Sequence, residues 1–204
     1  GGMLSWGIPD YRLPPDILQG EIQDVLDEGV ELKLNSRLGK DFTLQQLRQQ
    51  DFKAVILAIG AHAGGKLRIE GEQLDGVTDC IAFLHQANQN RKLKVGTHVT
   101  VVGGGNSAVD SARTALRLGA EKVTIVYRRS RSEMPAIPAE IEDALQEGIN
   151  ILYLAAPLRL TGKDGHVSAM ECIQMKLGEP DESGRRRPVP IEGSEFKIQT
   201  DMVI

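Results

Sequence analysis

The stretch HVTVVGGGNSAVD, residues 98–110, decides how the rest of the chain is read. A short apolar run leads into three glycines, and a segment with helical spacing follows. Strand, glycine turn and helix in that order open a parallel α/β unit. Ala108, Val109, Ala112, Ala115 and Leu116 share one side of the segment that Gly119 ends. Residues 103–108 read G-G-G-N-S-A and fit G-x-G-x-x-A, with Gly104 as the first variable position. Gly103 permits a tight turn out of the strand. Gly105 has no Cβ, so a pyrophosphate can approach the backbone. Ala108 is small, so the helix packs close to the strand. The helix N-terminus then offers free N–H groups and a partial positive charge, and Asn106 and Ser107 sit in that first turn. The pattern alone is weak, because a plain strand–turn–helix also uses permissive glycines.

The context adds weight. KVTIVY, residues 122–127, is a second strand, and its tip lies about 20 residues past the glycines, as the dinucleotide fingerprint requires. An NAD site carries Asp or Glu at that tip to accept from the ribose 2′-hydroxyl. Here the chain reads YRRSRSE. Arg128 and Arg129 attract a 2′-phosphate that a carboxylate would repel, and Arg131 can close the site. NADP(H) is therefore the expected cofactor, with a solvated basic loop and an NAD-preferring site as the alternatives.

Working outward, PAEIEDALQEG (138–148) is a helix with proline at its start, and INILYL (149–154) is a third strand. After Pro157, HVSAMECIQMKL and EFKIQTDMVI alternate and predict a long antiparallel hairpin around a polar loop. Towards the N-terminus, residues 16–28 predict a helix capped by Asp16, VELKL (30–34) a short strand, and TLQQLRQQ a helix capped by Thr43. KAVILAIG (53–60) has the look of a buried parallel strand, residues 60–77 form a turn-rich connection, and Cys80–Gln89 a helix. The fold class is α/β: a Rossmann-like parallel dinucleotide-binding sheet with an antiparallel hairpin layer.

Bulk properties narrow the function. The net charge of −4 and the 4% aromatic content argue against nucleic acid and anionic membranes as partners. No apolar run approaches the roughly 20 residues of a membrane helix, and no signal peptide is evident. Cys80 and Cys172 lie far apart without CxxC spacing, which predicts no metal or iron–sulfur site in this chain and fits a reducing, cytoplasmic setting. His62, His85, His98 and His166 are scattered and read as surface or packing residues, and Glu140 and Glu147 as ordinary helix-surface carboxylates. Arg185, Arg186 and Arg187 sit in the hairpin loop, either solvated or against a partner. The chain starts without an initiator Met and stops on an apolar run, as expected of a piece of a longer protein.

Residues 101–136, VVGGGNSAVDSARTALRLGAEKVTIVYRRSRSEMPA, resemble the NADPH-binding segment of the glutamate synthase small-subunit family. That family includes the flavin part of dihydropyrimidine dehydrogenase and related bacterial iron–sulfur flavoproteins. GGMLSWGIPDYRLP (1–14), GKDFTLQQL, AVILAIGA and LGEPDESGRRRPVPIEGSE are similar to further family landmarks. The resemblance implies an NADPH-linked oxidoreductase that passes hydride to FAD and electrons on to iron–sulfur centres outside this chain. It implies a partial FAD-domain segment at 1–64 and an NADPH-binding domain at 65–204. It also implies Gly2 and Met3 near the flavin, Arg12 near the FAD, and Ala58, Ile59 and Gly60 at the crossing between domains. The implied partner is an iron–sulfur domain or a large catalytic subunit. A fragment of this kind is expected to bind NADP(H) without turning over alone, no catalytic dyad being needed for hydride transfer. A non-catalytic nucleotide-sensing or scaffolding module is the alternative.

Overall fold

In the computed structural model, which describes residues 1–50, 52–89, 93–182 and 184–204, the apolar run before the glycines becomes an inner strand of a parallel sheet. Helices α1 (Met3–Trp6), α2 (Pro15–Asp27), α3 (Leu44–Gln49) and α4 (Cys80–Gln89) precede β1 (His98–Val102). Then come α5 (Asn106–Arg117), β2 (Lys122–Tyr127), α6 (Pro138–Gln146) and β3 (Asn150–Tyr153). The chain ends with β4 (Ala155–Lys163), β5 (His166–Pro180), β6 (Arg186–Gln199) and β7 (Met202–Val203). The parallel sheet has the order β3-β2-β1-β7, with Val101 opposite Ile125 and Ile125 opposite Ile151. β4, β5 and β6 form a separate antiparallel sheet.

β2 is buried at every position after Lys122 because it is covered on both faces. On one side Ile125 and Val123 pack with Val109, Ala112 and Ala115 of α5, Ala144 of α6 and Phe83 of α4. On the other, Val126 and Val203 pack with Leu160, Met170 and Cys172 of the antiparallel sheet. Continuous apolar strands are what a doubly covered parallel sheet needs.

The predicted fold class holds, and five local expectations are corrected. VELKL and KAVILAIG form no strand among the described residues. Leu34, Ile56 and Ile59 are 71%, 90% and 72% exposed. A strand requires a neighbour for its N–H and C=O groups, and none pairs with these runs. The predicted hairpin is a three-stranded sheet, because residues 155–163 join it as β4. Met202–Val203 leaves the antiparallel sheet and pairs in parallel with β1. Asp201 directs this switch, its carboxylate accepting from the N–H groups of Thr97 and His98 at 3.0 and 2.9 Å. Finally α2 begins at Pro15 rather than behind an Asp16 cap, whereas Thr43 caps α3 through a reciprocal box with Gln46. Ser183, within the predicted hairpin loop, lies outside the described residues.

The N-terminal segment lies across the outer side of α5. This is why Asp110, Ser111, Arg113 and Thr114, which face away from the sheet, are nevertheless buried. Arg12 pairs with Asp110 of α5 at 2.7 Å and Glu140 of α6 at 3.1 Å. Arg113 and Arg117 lie over the Tyr11 ring at 4.9 and 4.1 Å, and Glu147 holds both guanidinium groups at 2.8 and 2.7 Å. Asn88 of α4 donates to the carbonyls of Trp6 and Ile8. Glu140 and Glu147 are therefore members of an ion-pair network, a correction to their reading as ordinary surface carboxylates. Burial, reinforced by Asp110, pushes the Tyr11 hydroxyl up to about 12.

Hydrogen bonds from Arg117 and Arg113 hold the Glu147 carboxyl down at about 2. A carboxylate with a depressed folded pKa stabilises the native state above its unfolded pKa of about 4.3, and that contribution is lost as pH falls towards 2. Chemical denaturation as a function of pH should therefore show stability declining across that window. Glu147→Gln should be less stable at neutral pH and show a flatter decline.

Candidate functional site

Each glycine of the turn meets a different constraint. Gly103 has φ +145°, a region that favours glycine, and its N–H donates to the Val126 carbonyl at 3.1 Å. Its Cα also faces the helix, where an added Cβ would lie 3.3 Å from the Ala108 methyl. At Gly104 an added Cβ would lie 2.5 Å from the Tyr127 ring, so the turn rests directly on that ring. At Gly105 an added Cβ would meet nothing within 4 Å. This third glycine borders open space.

Gly105 is also the N-cap residue of α5, and no side chain caps this helix. Helices α1, α2 and α6 also start without a side-chain cap, whereas α3 and α4 have one. Thr43 caps α3, and Asp79 caps α4 by accepting from Ile81 and Ala82 N–H, both at 3.0 Å. The Gly105 carbonyl accepts from Ala108 and Val109, but the N–H groups of Asn106 and Ser107 have no acceptor among the described residues. An α-helix start left in this state is a ready anion site.

The loop after β2 is stapled onto the turn. Ala136 N–H donates to the Gly104 carbonyl at 3.1 Å and Ile137 N–H to the Asn106 side-chain oxygen at 2.9 Å. Tyr127 Oη–H donates to the Glu133 carbonyl at 2.7 Å. Ser130 and Glu133 close the intervening bend as a capping box around the short 3-10 turn Arg131–Glu133, and the Ser130 hydrogen bond lowers the Glu133 pKa.

The three arginines of this loop have different surroundings. Arg128 is exposed and makes no hydrogen bond or ion pair with the described residues. Arg129 is 6% exposed and belongs to the hairpin: its Nε donates to the Arg186 carbonyl at 2.8 Å, and its Nη2 pairs with Asp181 at 2.6 Å. Arg131 is exposed and pairs with Glu142 of α6. The expected cationic pair thus splits into one solvent-facing guanidinium and one internal anchor.

The residues expected near a flavin lie elsewhere. Gly2 has φ +58° ahead of α1, and Met3 is 37% exposed. Ala58, Ile59 and Gly60 are exposed and belong to no regular element, with φ +66° at Gly60. Trp6 draws these parts together: it meets the His62 ring edge-on at 4.9 Å and stacks on His85 at 4.1 Å. The sequence shows no spacing that would have joined these two histidines. Arg12 is held by Asp110 and Glu140.

A cleft of about 820 Å³ opens where β1 and β7 end, lined by Val102, Ile204, Cys80, Asp79, Glu72 and Lys66 among others. Ligands of open α/β sheets bind outside the carboxyl ends of the strands. A second cavity of about 510 Å³ lies between the N-terminal segment, α2 and α4, bordered by Tyr11, Asn88 and Thr114.

The sequence profile of the pyridine nucleotide-disulphide oxidoreductase family matches residues 3–204. The whole chain is 48% identical to the NADP(+)-dependent formate dehydrogenase subunit beta of Moorella thermoacetica, covering 29% of that protein. It is 46% identical to the NADPH-Fe(3+) oxidoreductase subunit beta of Geobacter sulfurreducens, covering 31% of it. It is 35% identical to the glutamate synthase [NADPH] small chain of Azospirillum brasilense, covering 44% of it. The chain thus spans less than half the length of these relatives. Among solved structures, Mycobacterium tuberculosis FprA in complex with NADPH superimposes with a TM-score of 0.80 over 99% of this chain and 60% of that one, at 18% identity. That likeness speaks for the fold.

The divided arginines generate a stability test. Arg129→Ala removes one partner of a largely buried pair and should cost about 2–4 kcal/mol, discounted for the partial exposure of Asp181. Arg128→Ala should change stability by less than about 0.5 kcal/mol. Thermal unfolding of the two variants, side by side, checks the assignment.

Proposed function

The chain belongs to the pyridine nucleotide-disulphide oxidoreductase family, and from that premise we propose that it is the NADP(H)-binding part of a flavoprotein oxidoreductase. The carrying observation is the open start of α5: two N–H groups beside Gly105 without acceptors among the described residues, with the guanidinium of Arg128, likewise unpaired among them, just past the tip of the adjacent strand. Residues 103–108 hold the pyrophosphate through backbone N–H groups and helix polarity. Ser107 can add its hydroxyl, while Asn106 uses its side-chain oxygen to fix the arginine loop.

Arg128 takes the 2′-phosphate. Arg131 can turn from Glu142 to join it, because an exposed ion pair is held by little net energy. Arg129 contributes from behind, locking the loop to the hairpin so that Arg128 leaves the strand in a fixed direction. NADPH bound here supplies a hydride, and the protein's part is alignment and the exclusion of water.

Residues 1–64 contribute a partial FAD-domain segment, and residues 65–204 the NADPH-binding domain. In support, the runs 30–34 and 53–60 carry exposed apolar side chains on backbone that pairs with no strand among the described residues, as segments completed by a larger sheet would. Gly2, Met3, Ala58, Ile59 and Gly60 line the flavin side, and Arg12 acts by fixing that side to α5 and α6. Electrons leave through FAD to iron–sulfur centres outside this chain, in an iron–sulfur domain or a large catalytic subunit. A cytoplasmic setting agrees with the free thiols of Cys80 and Cys172, and no helix among the described residues is long and apolar enough to cross a membrane.

Calorimetric titration of the whole protein with NADP+ and NAD+ tests the site. Arg128→Ala should weaken NADP+ by about tenfold, as for loss of one charge-assisted contact, and leave NAD+ within about twofold. Equal affinities of the wild type and the variant for NADP+ would defeat the 2′-phosphate assignment.

A further inference from the structure

The glycine turn divides a dinucleotide into two halves. If the adenosine half runs towards β2 and Arg128, the nicotinamide half runs the other way across β1, towards β7. That direction leads to the cleft of about 820 Å³ bordered by Val102, the residue before Gly103, and by Ile204 after β7. Three charged side chains line this cleft: Lys66, Glu72 and Asp79. Both carboxylates are committed to backbone N–H groups. Glu72 accepts from Leu67 and Arg68, each at 2.9 Å, and Asp79 accepts from Ile81 and Ala82 at the start of α4. Lys66 is exposed and makes no hydrogen bond or ion pair with the described residues, although two carboxylates share its cleft.

The backbone on either side of Lys66 is fixed. Gly64 lies so close to Asp79 that an added Cβ would fall 2.1 Å from its carboxylate oxygen, which sets Gly64 against the α4 start. The Glu72 carboxylate locks the next two N–H groups. The fold thus presents a flexible point charge with three donors from a rigid base, at the end of the sheet where a phosphate would lie.

We propose that Lys66, on the wall of the cleft that Val102 and Ile204 border, anchors the nicotinamide-side phosphate of NADP(H), a subsite that rests on the NADP(H) reading above. The α5 start then holds the pyrophosphate from one side and the Lys66 ammonium from the other. Arg128 serves the 2′-phosphate independently at the far end.

Three probes separate these contacts in the whole protein: NADP+, 2′,5′-ADP, which lacks the nicotinamide ribotide, and nicotinamide mononucleotide, which lacks the adenosine. Lys66→Ala should raise the NADP+ dissociation constant about tenfold, weaken nicotinamide mononucleotide in step, and leave 2′,5′-ADP within about twofold. Lys66→Arg should recover most of the NADP+ affinity and Lys66→Gln little of it, with melting temperatures unchanged because the side chain is exposed. An unchanged NADP+ constant in Lys66→Ala overturns the proposal, as does an equal loss for NADP+ and 2′,5′-ADP. Failure of the underlying reading looks different: 2′,5′-ADP would not bind the wild type, or Arg128→Ala would leave its binding unchanged.

Discussion

An α-helix begins with N–H groups that its own backbone cannot satisfy, and α5 leaves two of them without an acceptor among the described residues. Every surrounding feature protects that state. Gly103 bends the chain so that β1 ends beneath the helix start, Gly104 lets the turn rest on Tyr127, and Gly105 supplies no side chain that could fill the space. Asn106 is a residue type that can cap a helix, yet its oxygen is already taken by Ile137 N–H. Thr43 and Asp79 close the starts of α3 and α4, whereas α1, α2 and α6 also lack a side-chain cap; what sets the α5 start apart is the side-chain-free space beside Gly105.

Holding a site open requires rigid walls, and the antiparallel sheet supplies one. Its hairpin reaches back to Arg129 through Asp181 and the Arg186 carbonyl, which ties the loop after β2 to a second hydrophobic core around Met170. The network of Arg12, Asp110, Glu140, Arg113 and Glu147 does the same on the other face for α5 and α6. Partly buried ion pairs of this kind add little net stability over apolar packing, but losing one member leaves a charge uncompensated. Burial raises the pKa of Asp110 while Arg12 opposes the shift, so the carboxylate depends on its cation. Such a network specifies where the N-terminal segment docks more than how tightly it does so.

The parallel sheet, the glycine turn and the crossover helices were legible in the sequence because their signals are local: a continuous apolar run, three glycines, a helical period and a closing glycine within 98–119. The antiparallel layer was legible only in part. Residues 155–163 show a proline and an irregular pattern, and their pairing with β5 carries bulges that break the alternation. The runs 30–34 and 53–60 read as strands because their composition is that of strands; composition cannot supply the neighbour that a strand requires. The ion-pair network was invisible, since Arg12 and Asp110 lie 98 residues apart.

What the sequence determined by itself is the character of the site: a side-chain-poor turn at a helix start, with arginines at the tip of the next strand. What only the tertiary structure decided is the division of labour among like residues. Arg128 and Arg129 are neighbours of identical chemistry in the bend that follows β2, and their side chains part there. One meets water and the other meets Asp181 of a hairpin 52 residues away. A side chain's role depends on what lies opposite it, and that is a property of the folded chain.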